Sequence, residues 1–280
     1  MEIIMNNRPN PEYEEMFNDL MQEVFGFTFE HWFEYVPWVE NYESYSIIEN
    51  GVMLANLCIT KTEMILMGQR VQANQFGAIA TRENARGRGL SRLLMEHVLS
   101  LYPDTLAYLS ANPSVVDFYP RFGFRQVQTY KPVISREINN NPATAVKYEI
   151  DDVAERKCYS SIVDCTNTFS VNIFHMIMEY EDDIYFLPSC DAVVIARQDG
   201  ERLFIADVIA QKPITFEQIA PELPFAGVKT VEFGFCPDLF KDSHGLDNGM
   251  IWEKDNMTPF FLRGDWNLPK YFRFPAMSET

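Results

Sequence analysis

The feature that most constrains this chain is a cationic glycine turn between an apolar run and an amphipathic segment. The apolar run is Phe76–Thr81, the turn is Arg86–Arg92 with glycines at Gly87 and Gly89, and leucines then recur on one face of Leu90–Leu101. This pattern predicts a strand, a turn and a helix. A helix that begins at a glycine turn directs unpaired N–H groups and partial positive charge at one point, where phosphate binds well. We therefore expect an anion site, to which the three arginines of the turn add donors.

A second motif follows at a fixed distance. Asn112 and Tyr119 lie seven residues apart behind the apolar run Thr105–Ala111, and a Gly-Phe pair comes next at Gly123. This run and Arg86-x-x-Gly89-x-Ser91 together resemble the two motifs of the GNAT family of acetyl-CoA-dependent N-acetyltransferases, in its two-domain bacterial type. Ser91 departs from the family pattern, which has glycine or alanine there. The resemblance covers Gln75–Val127 well and the rest of the chain poorly.

The resemblance implies an α/β (α+β) fold, with a mixed, mostly antiparallel sheet flanked by helices. It implies acetyl-CoA as co-substrate, with its pantetheine arm bound along the splayed central strand. By resemblance, Tyr119 is the catalytic residue. The implied cofactor-binding residues are Ile79, Ala80, Thr81, Arg86, Gly87, Arg88, Gly89, Leu90, Ser91, Arg92 and Asn112.

The expected chemistry is attack of a neutral amine on the thioester. A phenol has a pKa of about 10 and a thiol of about 8.5, so Tyr119 is protonated at neutral pH and can donate to the departing thiolate as general acid. A backbone N–H near Ile79 or Ala80 would stabilise the oxyanion. The general base stays open, because the central strand contains no acid. The candidates are Glu30, Glu34, water and the carboxylate of Thr280, since the aminoglycoside-acetylating branch of the family uses its own C-terminal carboxylate.

The acceptor is expected to be a primary amine of a small cationic molecule or a peptide. Phe25–Trp38 is rich in aromatic and acidic residues, and such a pocket suits a cation. In the family this region borders the acceptor pocket. A non-catalytic acyl-CoA sensor that engages a partner protein is the alternative. An aminoacyl- or peptidyl-transfer enzyme is disfavoured, because such proteins usually lack the intact CoA loop.

The charge distribution agrees with a bound polyanion. The net charge is −17, yet residues 61–140 contain ten Lys and Arg against six acids. Residues 1–60 contain one cation against eleven acids, and residues 141–280 twelve against twenty-three. The only positive segment is thus the one with the glycine turn. Without a broad basic face, nucleic acid is not expected as a partner.

Other sequence signals concern location. We find no run of eighteen apolar residues and no basic segment before an apolar one, so neither a membrane span nor a signal peptide is expected. The five cysteines are scattered without a C-x-x-C pair, which is typical of reduced cytoplasmic thiols. No metal-binding spacing is found, and nothing indicates an oligomeric state.

The chain is expected to form two domains. The polar stretch Asn139–Pro142 predicts a linker between a GNAT domain, residues 1–138, and a smaller α+β domain of unclear role, residues 143–280. The order of elements in the second part loosely resembles the first, but it contains no glycine phosphate loop, so it is either a degenerate second copy or another module. The aromatic C-terminal tail is expected to dock on the protein.

Overall fold

A computed structural model describes residues 2–36, 41–141, 146–147, 158–240 and 249–279. The described helices are α1 Pro11–Phe25, α2 Glu30–Tyr35, α3 Leu90–Leu101, α4 Phe169–Met178 and α5 Phe216–Ile219. The strands before residue 140 are β1 Ile3–Asn6, β2 Tyr42–Glu49, β3 Val52–Leu66, β4 Gln69–Thr81, β5 Leu106–Ser110, β6 Arg125–Val127 and β7 Tyr130–Ile138. The later strands are β8 Val146–Lys147, β9 Val163–Cys165, β10 Ile184–Leu187, β11 Ala192–Asp199, β12 Arg202–Ala210, β13 Val228–Phe233, β14 Ile251–Lys254 and β15 Phe260–Arg263.

The strands form two sheets. The first has the order β1-β2-β3-β4-β5-β15-β6, with β9 also paired to β3, and the second has the order β14-β7-β13-β12-β11-β10-β8. Each sheet has one parallel pair, β4 with β5 and β12 with β13, and the other neighbours are antiparallel. The predicted mixed, mostly antiparallel α+β fold is therefore confirmed.

The two sheets share one plan. In both, an antiparallel series leads to a parallel pair that is joined through a helix, α3 in the first sheet and α5 in the second. An antiparallel strand and an edge strand then follow. In each sheet the strand that precedes the helix has a register shift against its antiparallel neighbour. In the first sheet the shift lies in β4, opposite Asn56 and Cys58 of β3, and in the second it lies in β12, opposite Ile195 and Ala196 of β11. The second half thus has the architecture of a degenerate copy of the first.

The copies exchange one strand each. The position between the parallel pair and the edge strand is filled by β15 in the first sheet and by β7 in the second. The sequence places β7 at the end of the first domain, and the structure differs: β7 pairs with β13 and β14. Residues from both sides of the predicted boundary therefore build both sheets, while the division at 138 and 143 as domains stays a prediction.

Local sequence signals explain several elements. Helix α1 begins with Asn10, whose side chain accepts a hydrogen bond from the Tyr13 N–H, and ends at Gly26 with φ of 82°. Such a left-handed C-terminal residue favours glycine. Asn-Gly is a typical hairpin pair, and Asn50-Gly51 joins β2 to β3 with positive φ at both residues, as a short hairpin requires. The predicted bounds of α3, residues 90–101, are those observed.

Serine is a common helix cap, so the sequence predicts Ser114 as the cap of a short helix after β5. The structure differs: Asn112 caps the short 3-10 turn Pro113–Val115, because its side chain accepts from the Ser114 N–H. The predicted linker is also anchored: the Asn140 side chain donates to the carbonyls of Ala220 and Leu223. These partners are about eighty residues away, so local polarity could not indicate them. The sequence also predicts a strand over residues 145–150 and helical material over residues 153–179. Apart from β8, that strand, the start of the helical segment and Pro142 lie outside the described residues.

The C-terminal tail docks, as predicted. Beyond the paired part of β12 and β13, residues Arg273–Ser278 lie beside the ends of these strands. The Ala276 N–H donates to the Gly234 carbonyl at 2.7 Å, and the Arg273 N–H donates to the Cys236 sulfur at 3.1 Å. In the first copy, β4 and β5 also separate, beyond residues 73–75 of β4. The C-terminal tail lies at the equivalent position of the second copy, beside β12 and β13.

Candidate active site

The predicted phosphate turn has the geometry of an anion site. Gly87 and Gly89 have φ of 78° and 76°, and Gly89 is the N-cap of α3 without any side-chain cap. The first amides of this twelve-residue helix are therefore uncapped by a side chain and face an exposed turn. Glycine is needed here for its positive φ, since a Cβ at either position would meet no atom within 4 Å.

The arginines of the turn have local partners. Arg88 pairs with Glu49 at 2.7 Å and Arg92 with Glu96 at 2.7 Å, while Arg86 donates to the Thr81 carbonyl at 3.4 Å. These side chains are exposed, so the ion pairs are weak and can exchange for a phosphate. Behind them the Ser91 and Thr81 hydroxyls lie 2.5 Å apart, and serine is accommodated where the family pattern has a smaller residue.

Strands β4 and β5 part just before the turn. They pair only at residues 73–75 of β4, so within the described chain the segment from Phe76 to Thr81 has no strand on that side. Ala78 has φ of 47° and lies at the register shift with β3. The parting contains Ile79, Ala80 and Thr81, the predicted backbone partners of a pantetheine arm.

A buried polar network supports this bend. Asn56, which is fully buried, donates to the Ala78 carbonyl at 3.1 Å and accepts from the hydroxyls of Ser44 and Ser46 at 2.7 and 2.8 Å. The Tyr13 hydroxyl contacts the same two serines. Because these groups satisfy one another away from water, the network holds β4 bent.

A cavity of about 1120 Å³ lies between the two sheets and opens at this parting. Its lining from the first sheet includes Gln75, Gly77 and Ala78 of β4 and Ser110, the last residue of β5. The lining as a whole is rich in both aromatic and charged side chains. The aromatic lining residues are Phe25, Phe27, Phe29, Trp32, Tyr42, Phe174, Tyr180 and Phe204. The charged ones are Lys131, Glu179, Arg197, Asp199, Arg202, Glu232, Glu253, Lys254, Asp255, Arg273 and Glu279.

Tyr119 is not among the residues that line this cavity; it packs in the core with residues of α3 and β5. It is 6% exposed, at the start of the 3-10 turn Tyr119–Phe122. Its ring packs on Phe261 of β15 at 5.4 Å and on Phe124 at 6.3 Å. Burial raises the pKa of the Tyr119 phenol to about 12, so the hydroxyl carries its proton throughout the neutral range.

Sequence comparison identifies this region. The sequence model described as an acetyltransferase (GNAT) domain matches residues 7–127. Residues 7–127 are a GNAT acetyltransferase domain. The protein is accordingly an acyltransferase.

Solved structures share the fold of the whole chain. The chain is similar to Eis1 from Mycobacterium abscessus at 12% identity and a TM-score of 0.53, and the match covers 92% of this chain and 73% of that one. It is also similar to a GCN5-related N-acetyltransferase from Anabaena variabilis, at 14% identity and a TM-score of 0.50, over 94% and 72%. At such identities the likeness concerns the fold. No curated protein matches the sequence.

The GNAT domain's acidic candidates for the base lie apart from the cavity. Glu30 and Glu34 are exposed, neither lines the cavity, and Glu34 pairs with His31 at 3.1 Å on the surface. Thr280 lies outside the described residues. Asn112, predicted to bind cofactor, uses its side-chain oxygen to cap the turn after β5.

Sequence reasoning missed Glu279. This carboxyl lines the cavity, where Ser110 Oγ donates to Glu279 Oε2 at 3.4 Å and Arg273 Nη2 lies 4.0 Å from Glu279 Oε1. His175 Nε2 donates to the Glu279 backbone carbonyl at 2.6 Å. The docking of the tail was readable from its aromatic residues, but no sequence signal marked this carboxyl.

Other kinds of site have no support in the described residues. These contain no group of three or more His, Cys, Asp and Glu that could hold a metal ion. Among the same residues no helix combines the length and the apolar character needed to cross a membrane.

Proposed function

We propose that the protein transfers an acetyl group from acetyl-CoA to a primary amine. The observation that carries the proposal is the parting of β4 and β5, which leads from an uncapped glycine turn at one end to a large cavity at the other. A diphosphate fits the turn, an extended arm fits the parting, and an acceptor fits the cavity.

The donor would be held mainly by backbone. The amides of Gly87–Arg92 face the diphosphate, and the arginines of the turn exchange their surface glutamates for it. Ile79 and Thr81 offer backbone groups to the pantetheine amides as a neighbouring strand would. This directs the thioester along β4 toward Ala78 and the cavity.

The reaction then proceeds by direct attack. The nitrogen of a neutral amine forms a bond to the thioester carbonyl carbon, while a backbone N–H of Ile79 or Ala80 stabilises the oxyanion. The C–S bond breaks, and Tyr119 gives its proton to the departing thiolate. The phenol recovers a proton from the amide nitrogen that is formed, so Tyr119 acts as general acid and is regenerated.

The proposed acceptors are small cationic molecules or peptides with a primary amine, and the proposed compartment is the cytoplasm. The aromatic lining of the cavity supports the first statement because ring faces attract a cation. The five cysteines support the second, since all are free, as expected in a reducing compartment.

The test is release of thiol from acetyl-CoA with polyamines, aminoglycosides, amino acids and peptides. Tyr119→Phe should retain acetyl-CoA binding by calorimetry and lose about 100-fold or more in kcat. Tyr271→Phe, which removes a hydroxyl from an exposed tyrosine, is the matched control and should turn over normally. Full activity of Tyr119→Phe would remove this residue from the mechanism, and failure to bind acetyl-CoA would refute the proposal as a whole.

A further inference from the structure

The cavity has a preformed apolar wall. Phe29 and Phe174 stack at 5.3 Å, and Phe27 lies 5.5 and 6.0 Å from them. Trp32 is fixed by a hydrogen bond from its Nε1 to the Ser170 carbonyl at 2.8 Å. Rings that already support one another lose little freedom when an apolar body packs on them. This wall therefore suits an acceptor with a hydrocarbon or aromatic body.

The charged residues of the lining largely neutralise one another. Lys131 lies 3.7 Å from Glu232, Arg202 lies 2.7 Å from the same glutamate, and Arg273 pairs with Asp255. Among the lining residues six carboxylates face five Lys and Arg side chains. A molecule with several ammonium groups would find few free carboxylates here. Its other ammonium groups would therefore be buried without a partner, at a high cost in binding free energy.

The charge of the Glu279 carboxyl is only weakly compensated. Its closest cation, Arg273, lies at 4.0 Å and already bonds Asp255. His175, Asp255 and the Tyr108 phenol are further titratable groups that interact with it, and Ser110 donates to it. Burial raises the pKa of Glu279 to about 7, against the lowering effect of Arg273 and His175. It can therefore bind or release a proton in the neutral range.

The position of this carboxyl favours a role beside the thioester. Ser110 ends β5 at the parting of the strands, and Ser110 Oγ lies 3.4 Å from Glu279 Oε2. The carboxyl is thus at the junction of the parting and the cavity. A group there can reach an amine that approaches from the aromatic wall.

We infer that the acceptor is a primary monoamine with an apolar or aromatic body, and that Glu279 binds its ammonium and takes the proton. This inference rests on the acetyl transfer proposed above and specifies its acceptor. The N–H bond of the ammonium breaks, its electron pair stays on nitrogen, and the proton moves to the carboxylate. The neutral amine then attacks the thioester, and Glu279 returns the proton to solvent after product leaves.

The first test compares acceptors that differ in body and charge. Initial rates with 2-phenylethylamine, n-propylamine and spermidine should give a kcat/KM for 2-phenylethylamine about 10-fold or more above the other two. Phe174→Ala should reduce the ratio of kcat/KM for 2-phenylethylamine to kcat/KM for n-propylamine. Equal or higher kcat/KM with spermidine would overturn the inference. If acetyl-CoA binds and no amine is acetylated, the proposed function itself fails.

The second test concerns the proton. With 2-phenylethylamine, the rate should rise through an inflection near pH 7, because the Glu279 carboxyl must be ionised to accept. Glu279→Gln should lower kcat/KM at neutral pH by about 100-fold or more and remove this inflection, while the rise due to the amine's own ionisation remains. Glu279→Asp should recover part of the rate and restore the inflection, which loss of packing alone would not explain.

Calorimetry with acetyl-CoA checks that Glu279→Gln is folded, since the phosphate turn is separate from the tail. An unchanged affinity together with the lost inflection supports the inference. An inflection near pH 7 that persists in Glu279→Gln would overturn the role of this carboxyl.

Discussion

Replacing Phe261 by alanine tests whether the distant strand β15 completes the first sheet. Phe261 is 1% exposed, and it pairs in register with Leu109 of β5 and Gln126 of β6. Its ring lies 5.4 Å from that of Tyr119. The variant therefore removes a core side chain that also positions the proposed proton donor.

The expected loss of stability is large. Truncating a fully buried phenylalanine to alanine costs about 3–5 kcal/mol, because it removes apolar contacts and leaves a cavity. At about 1.4 kcal/mol per factor of ten, this raises the unfolding constant by roughly two to four orders of magnitude. We also expect slower turnover at temperatures where the variant stays folded, since the Tyr119 ring loses a neighbour.

Urea denaturation followed by tryptophan fluorescence measures the free energy of unfolding, and thiol release measures turnover. Phe169→Ala is the matched control, because Phe169 is 46% exposed at the start of α4 and should cost well under 1 kcal/mol, about the size of most surface substitutions. If Phe261→Ala cost no more than the Phe169 variant, the placement of β15 between β5 and β6 would be refuted.

Further predictions concern the turn, the bend and the exchanged strand. Gly89→Ala forces alanine into a left-handed φ at a cost of about 1–2 kcal/mol and should weaken acetyl-CoA binding in calorimetry; Gly68→Ala, at a hairpin with φ of 77°, should lose similar stability and keep the affinity. Asn56→Ala leaves buried hydrogen-bonding groups without a partner, which costs about 1–3 kcal/mol of unfolding free energy for each group. A loss below about 0.5 kcal/mol in urea denaturation, the size of a neutral surface change, would contradict a role of the Asn56 network in stability. Residues 1–138 expressed alone lack β15 and should show weaker acetyl-CoA binding and an incomplete near-ultraviolet circular dichroism spectrum; wild-type affinity would speak against the exchange.

Local chemistry explains why much of the first half was predictable. The bounds of α3, the Asn50-Gly51 hairpin and the glycine turn depend on interactions between residues close in sequence. The turn could be predicted as an anion site because the conformations of Gly87 and Gly89 and the start of a helix are local properties. The family motifs in the same region depend on such short spacings.

The structure departs from the sequence-based expectations where the deciding contacts join residues far apart in the chain. Asn139–Pro142 is polar, so it was interpreted as a linker, yet Asn140 is held by carbonyls eighty residues away. The alternation of apolar and polar residues in β7 fits a strand of either sheet, so the sequence could not predict which sheet it joins. Glu30 and Glu34 were candidates because of their neighbours in sequence, and folding leaves both on the surface.

The sequence by itself determined a glycine turn with positive φ, the helix that follows it and a chain of acyltransferase type, because each depends on contacts within a few residues. Only the tertiary structure decided the strand exchange, the cavity between the sheets and the place of Glu279. Ser110 and Glu279 are 169 residues apart, and the carboxyl acquires its burial and its raised pKa only when both copies close around the tail.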